Sequence, residues 1–285
     1  ADYIVIAMSG DFVQRGAPAL MEKHLRAEMA LLGGADLILE MPVQTATASA
    51  EGFAAGGVSL LDGLGVVDEL CFGSECGDTE TLMNIAQILV KEPFDYALLR
   101  KGSGYHDTDF SLLSDEEFPS ASGIRSLMKK SEGTVQSADL SRLIPSASLP
   151  GFLDSLKKGA WLSDSALDLP LHYKLLLESE ETLKMYPELS DALIRRILKS
   201  RNQYEGFSQF ADLLKTRDIT RSAICRSLVR IFLDQKTKAP GHIPYARVLG
   251  FQKNSAPLLS QIKKNSSIPL ITKAADASAI LDETA

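Results

Sequence analysis

Three short apolar runs, each cut off by small residues or proline and each followed by a stretch of helical length, organise the chain from Tyr3 to Val90. Tyr3–Ala7 is β-branched and apolar and gives way to Ser9-Gly10, as a strand buried on both faces does. A helix is expected to start near Pro18, bury a stripe of Leu25, Met29 and Leu32, and stop at Gly33-Gly34. Asp36–Met41 reads as the second strand, closed by Pro42. Ala48–Leu64 is helix-compatible, Asp68–Phe72 is the third strand, and Thr79–Val90 is the helix after it. Strands alternating with helices of this size build βαβ units. The expected fold class is therefore α/β, with a doubly wound, Rossmann-like parallel sheet.

The rhythm breaks from Glu92, and from Ser155 onward the chain reads as mainly helical. Pro145, Pro150 and Gly151 mark a boundary. The expected division is an α/β domain over residues 1–150 and a helical domain over 151–285. Charge separates along the same line. Residues 191–253 carry thirteen Lys and Arg against five Asp and Glu, within a chain whose net charge is −7. A basic segment on an acidic chain is the footprint of a polyanion partner, and a basic surface without a partner is the plainer alternative.

Several classes drop out. No apolar run is long enough to cross a bilayer and no signal peptide is evident, so no membrane partner is expected. Cys71, Cys76 and Cys225 form no CxxC pair, which suits a reducing cytoplasm. His24, His106, His172 and His242 show no metal-ligand spacing, so no metal site is expected, and neither GxSxG nor a Walker lysine motif is present.

Ligands of open α/β sheets lie beyond the carboxyl ends of the strands. Ser9 and Gly10 follow the first strand and lead into Gln14 and Arg15, which are candidates to contact a substrate; pairing of Arg15 with an acidic neighbour is the alternative. Gly73 follows the third strand. In PSASGIRSLMKK, Ser120 or Ser122 can cap a helix whose free N–H groups suit an anion, and Arg125 can reach the same anion as a fork. Arg100 ends a short apolar run and is either a second phosphate ligand or a surface arginine. In ITRSAICRSLVRIFL, Thr220 is expected to cap a helix with Ile224, Leu228, Ile231 and Phe232 on its apolar face. Arg226 and Arg230 then project from the opposite side, with Lys215 and Arg217 just before the helix, to grip nucleic-acid phosphates.

Taken together, MSGDFVQRGAPALMEKHLRAEMALLGGADLILEMP, SAEGFAAGGVSLLDGLGVVDELCFGSE, the GYHD of Gly104–Asp107, PSASGIR, LLKTRDITRSAICRSLVRIFL and PYARVLGF resemble the tRNA(Met) cytidine acetate ligase family. The resemblance covers most of the chain in the right order. It implies a nucleotidyltransferase-type α/β domain followed by a helical, tRNA-holding domain. It implies an activity that uses ATP to activate acetate as acetyl-adenylate and acetylates N4 of the wobble cytidine of elongator tRNA(Met). On the matching positions it implies ATP contacts at Gly73 and Arg100, and phosphate contacts at Ser120, Ser122 and Arg125. Mg²⁺ bridging the phosphates is compatible with this chemistry. Two departures stand out. The family's HxGH motif is expected upstream of residue 1, so no catalytic residue is named within the printed chain. An Asn-rich segment is missing near Lys91–Tyr96, where several dozen residues are expected to be absent. The alternatives are another adenylyltransferase acting on a small acceptor, or a non-catalytic RNA-binding relative.

Overall fold

The structure is a computed structural model that describes residues 2–74, 96–99, 121–130, 140–141 and 143–281. The chain divides into two compact units, Ala1–Gly65 with Asp154–Ala285, and Val66–Leu153. The first unit opens with β1 (Val5–Ser9), the hairpin β2 (Phe12–Val13) and β3 (Ala17–Pro18), then α1 (Lys23–Leu32), β4 (Leu37–Met41), α2 (Val43–Ala46) and α3 (Ala50–Asp62). The second unit holds β5 (Cys71–Ser74), β6 (Tyr96–Leu99) and α4 (Ala121–Lys130), and α5 (Leu149–Lys157) runs across the division. The first unit resumes with α6 (Asp168–Leu177), α7 (Glu180–Leu183), α8 (Asp191–Ser200), α9 (Phe207–Leu214), α10 (Arg221–Phe232), β7 (Ala246–Phe251), α11 (Ala256–Asn265), β8 (Leu270–Ile271) and α12 (Ala277–Ile280).

The first unit's sheet has the order β1-β4-β7-β8. β1 and β4 are parallel, as expected, but β7 runs antiparallel to β4, so the sheet is mixed. Leu37, Ile38 and Leu39 of β4 are fully buried, which explains the unbroken apolar run. The C-terminal half is thus not helical throughout. Ala246–Phe251 is a β-rich run that β4 needs on its second edge, and it returns to pair with residues two hundred positions earlier, Leu39 with Val248. In the second unit β5 and β6 form their own parallel pair. The helix expected over Thr79–Val90 lies outside the described residues.

Two local expectations change. Pro18 does not start a helix; it pairs with Phe12 in the hairpin. The helix begins at Lys23, where Asp11 Oδ1 accepts the Lys23 backbone N–H at 3.3 Å. Its sheet-facing side is Ala27, Ala30 and Leu31 rather than Leu25, Met29 and Leu32, and Leu32 is half-exposed. The small Ala27 lets the helix lie close to Ile38, and this rotation turns Lys23 and Arg26 towards the end of β1.

A second core forms among the helices. Leu171, Leu175, Leu193, Ile197, Phe207, Phe210, Ile224 and Leu228 pack together, with Phe12 of the hairpin packed against them. Side-chain caps fix the helix starts: Ser190 accepts the Leu193 N–H, and Thr220 accepts the Ala223 N–H at 3.2 Å, as its position predicted.

Candidate substrate rim and nucleic-acid interface

Ser9 and Gly10 do lie at the carboxyl end of a parallel strand pair. Their carbonyls are held by Arg26, whose guanidinium donates to Ser9 O at 3.1 Å, to Gly10 O, and to Met21 O at 3.0 Å. A Cβ on Gly10 would run into Glu40 Oε1, so any larger residue there would displace the Glu40 carboxylate from its present position. Glu40 is the one residue of β4 that is not buried outright, and its carboxylate still keeps only 12% exposure. It takes Lys23 Nζ at 2.9 Å and Arg247 at 3.0 Å, one cation from α1 and one from β7. Lys23 also reaches Asp11 at 3.3 Å. Tyr245 stands beside this group, and burial, together with the Glu40 charge, raises the pKa of its phenol. The four side chains Lys23, Glu40, Tyr245 and Arg247 were not singled out by sequence. Glu40 reads as one acid at the end of DLILEM, and nothing local announces that β7 will deliver Arg247 opposite it.

Gln14 and Arg15 sit elsewhere on the loop, at its tip. Gly16 N–H donates to Val13 O at 2.9 Å, and Gly16 has φ +73°, the left-handed closing residue of a three-residue hairpin loop. That tip rests on α10: a Cβ on Gly16 would meet Arg226 N and Cys225 C and lie 2.8 Å from Arg226 Cα. At the hairpin base Phe12 meets Phe232, with ring centroids 6.0 Å apart. The hairpin therefore joins the sheet rim to α10, with the loop that carries Gln14 and Arg15 closing at Gly16 against Arg226.

The two arginines of α10 part company. Arg226 is half-buried, and its Nε has no hydrogen-bond partner among the described residues. Burial depresses its pKa, countered by Glu188 and reinforced by Arg230. Arg230 does not project to solvent as expected. It is 3% exposed, donates to Pro187 O and Thr47 O at 3.0 Å each, and pairs with Glu188 at 2.9 Å. The reason is that α10 is enclosed on most of its circumference: Ser227 and Val229 are buried along with Ile224, Leu228 and Ile231, so Arg230 falls on a packed side while Arg221 stays exposed. Cys225 on the same helix is pushed up to about 11 by burial, which keeps it an inert thiol.

Lys215 and Arg217 are exposed, and three further cations of the basic 191–253 segment stand near them. Arg195, Arg196 and Lys199 line the exposed side of α8, whose other side buries Leu193, Ile194 and Ile197. Arg196 donates to Lys215 O at 3.4 Å and ties the two groups into one cationic surface.

The remaining candidates belong to the second unit. Gly73 pairs with Leu98 in the β5–β6 ladder, and Ser122 and Arg125 lie in the first half of α4, with Arg125 half-buried. Arg100 and Ser120 fall outside the described residues. Among the described residues no group of three or more His, Cys, Asp or Glu gathers to hold a metal ion, and no helix is long and apolar enough to cross a membrane.

Parallel strands whose carboxyl ends carry a polar rim, in a chain that also presents a cationic helical surface, define an α/β ligand-binding protein with a face suited to a polyanion. A family model described as HIGH Nucleotidyl Transferase matches residues 1–99 and 96–284. A tRNA(Met) cytidine acetate ligase from Acetivibrio thermocellus is 30% identical over 97% of this chain and 82% of its own length. The chain belongs to the tRNA(Met) cytidine acetate ligase family of HIGH nucleotidyl transferases. Two solved structures share the fold: Thermotoga maritima TmcAL without ligand (TM-score 0.86, 25% identity, 99% of this chain and 81% of that one), and the same protein bound with alpha-thio ATP (TM-score 0.82, 24% identity, 98% and 80%). The alignment to the Acetivibrio protein spans 340 residues, although this chain has 285, so that relative carries several dozen residues with no counterpart here. The two segments of the family match meet at residues 96–99, beside the junction noted in the sequence.

Proposed function

We propose that the chain takes part in the ATP-dependent acetylation of N4 of the wobble cytidine of elongator tRNA(Met), with acetate as the acyl source. A near-full-length relative of that name carries this reading. In the first step an acetate oxygen attacks the α-phosphorus of ATP, and pyrophosphate leaves with the bridging electrons. In the second, the cytidine N4 amine attacks the acetyl carbonyl of acetyl-adenylate, AMP departs, and the nitrogen sheds a proton. Both steps need fixed donors where charge accumulates, and no covalent enzyme intermediate.

The residue assignments follow this division. Gly73, Arg100, Ser120, Ser122 and Arg125 are proposed to contact ATP; a Mg²⁺ ion accompanying the nucleotide would supply charge neutralisation for the departing pyrophosphate. Lys215 and Arg217 are proposed to grip tRNA phosphates, joined by Arg195, Arg196 and Lys199 on the same exposed surface, and the half-buried Arg226 is proposed as a further phosphate contact. Gln14 and Arg15 are proposed to face the tRNA, since their hairpin tip rests on α10. Arg230 is left to structure. The setting that supplies ATP, acetate and tRNA together is the cytoplasm.

The test needs no tRNA. Labelled pyrophosphate should enter ATP in a reaction that depends on acetate; exchange that ignores acetate, or follows a different acid, contradicts the proposal.

A further inference from the structure

We propose that Glu40 is the positioning residue of an oxyanion subsite in which Lys23, Arg247 and Tyr245 are the ligand-contacting groups. Three observations converge. First, a carboxylate interrupts a strand otherwise made of buried Leu37, Ile38, Leu39 and Met41, directly at the carboxyl end of the parallel pair. An apolar residue would fill that place at no desolvation cost, whereas a carboxylate there is tolerable only because it is paired. Second, it draws two cations from separate elements to one point, Lys23 Nζ at 2.9 Å and Arg247 at 3.0 Å, with Gly10 kept bare to make room.

Third, donors are left over. Lys23 spends two of its three N–H groups, on Glu40 and Asp11. Arg247 lies within contact of Glu40 Oε2, yet that oxygen has no aligned hydrogen bond, so the guanidinium fork is unspent among the described residues. Tyr245 is half-buried, one residue before β7 and two before Arg247, close enough to Glu40, Arg247 and Lys23 for its phenol to respond to their charges. Arg26 faces the rim as well but is committed to the Ser9, Gly10 and Met21 carbonyls, and Asp11 is held by Lys23. A lysine, an arginine fork and a phenol around one point suit a small oxyanion. Its sources in the proposed reaction are the carboxylate of the acid and a phosphate of ATP. That choice of source rests on the activity proposed above; the subsite does not.

The experiment is a binding titration of the full chain with carbon-13 acetate and, separately, with inorganic pyrophosphate, for the wild type and for Glu40→Gln, Arg247→Ala and Tyr245→Phe. One anion should bind, and each variant should weaken it about tenfold or more, the loss expected from one charge-assisted hydrogen bond. Glu40→Gln should act although it removes a negative charge, because it frees the two cations it aims; tighter anion binding in this variant would overturn the positioning role. Tyr245→Phe keeps the ring and guards against misfolding as the cause. Acetate binding alone assigns the carboxylate, and pyrophosphate binding alone assigns the phosphate. If neither anion binds the wild type, or all variants bind as the wild type does, the inference fails. Anion binding without acetate-dependent exchange would instead sink the proposed activity and leave the subsite standing.

Discussion

Gly16 and Arg226 touch backbone to backbone: the hairpin tip of a loop that begins at the sheet rim lies on α10, with no space for a single methyl group between them. Gly16→Ala should therefore be costly twice over, through its φ of +73° and through the collision with the Arg226 backbone. About 2 kcal/mol of stability should be lost, read as a lowered urea midpoint. Binding of tRNA should weaken along with it, because the hairpin can no longer seat beside Arg226.

Arg226 and Arg230, one helical turn apart, should respond oppositely to truncation. Arg230→Ala strands the Pro187 and Thr47 carbonyls and the Glu188 charge, at about 2–4 kcal/mol. Arg226→Ala leaves no partner stranded and should barely move the thermal midpoint, while weakening tRNA binding with ATP affinity retained. Denaturation curves and a tRNA filter-binding assay on the same preparations check both. Arg100→Ala should show the reverse ligand pattern, losing ATP and keeping tRNA.

How much of this was legible beforehand depended on range. The strand at Leu37–Met41 was visible because a strand buried on both faces is a continuous apolar run, and the Thr220 cap because its partner is three residues away. The half-buried edge strand Val5–Ser9 and the strand Cys71–Ser74 begin two and three residues later than the apolar runs Tyr3–Ala7 and Asp68–Phe72 suggest. β7 was missed because its only reason to be a strand is β4, two hundred residues distant. Arg230 was misplaced because the helical pattern assumes one packed side, whereas α10 is enclosed on most of its circumference. The rim around Glu40 is assembled from three elements, and no single stretch contains it.

Asp234 sets an acid limit. It is held by Lys174 at 2.7 Å, by the Tyr186 hydroxyl at 2.7 Å and by Lys236 at 3.1 Å, and hydrogen bonds from Lys174 and Tyr186 depress its carboxyl pKa well below the usual range. A depressed carboxylate contributes stability that is present above its unfolded pKa of about 4 and is lost as pH falls through the folded value. Asp234→Asn keeps a residue tolerant of its φ of +55°. The variant should be less stable than wild type at pH 7, and the difference should shrink steadily below pH of about 4. A constant gap across that range would refute the assignment.

Salt dependence separates the cationic surface from the rim. Arg196→Ala, Lys215→Ala and Arg217→Ala should each lower the slope of log affinity for tRNA against log salt by about one counterion or less. Lys23→Ala, at the rim, should leave that slope as it is. Slopes that fall equally for all four variants would mean that RNA runs over the rim as well.

The most direct measurement is transfer itself: the full chain, ATP, carbon-14 acetate and unmodified elongator tRNA(Met), followed by nuclease digestion and separation of the nucleosides. The account predicts label in a cytidine of the anticodon loop, dependent on ATP and lost in Arg226→Ala at low tRNA concentration. Label that never leaves the acid, with acetate-dependent ATP cleavage intact, would contradict it.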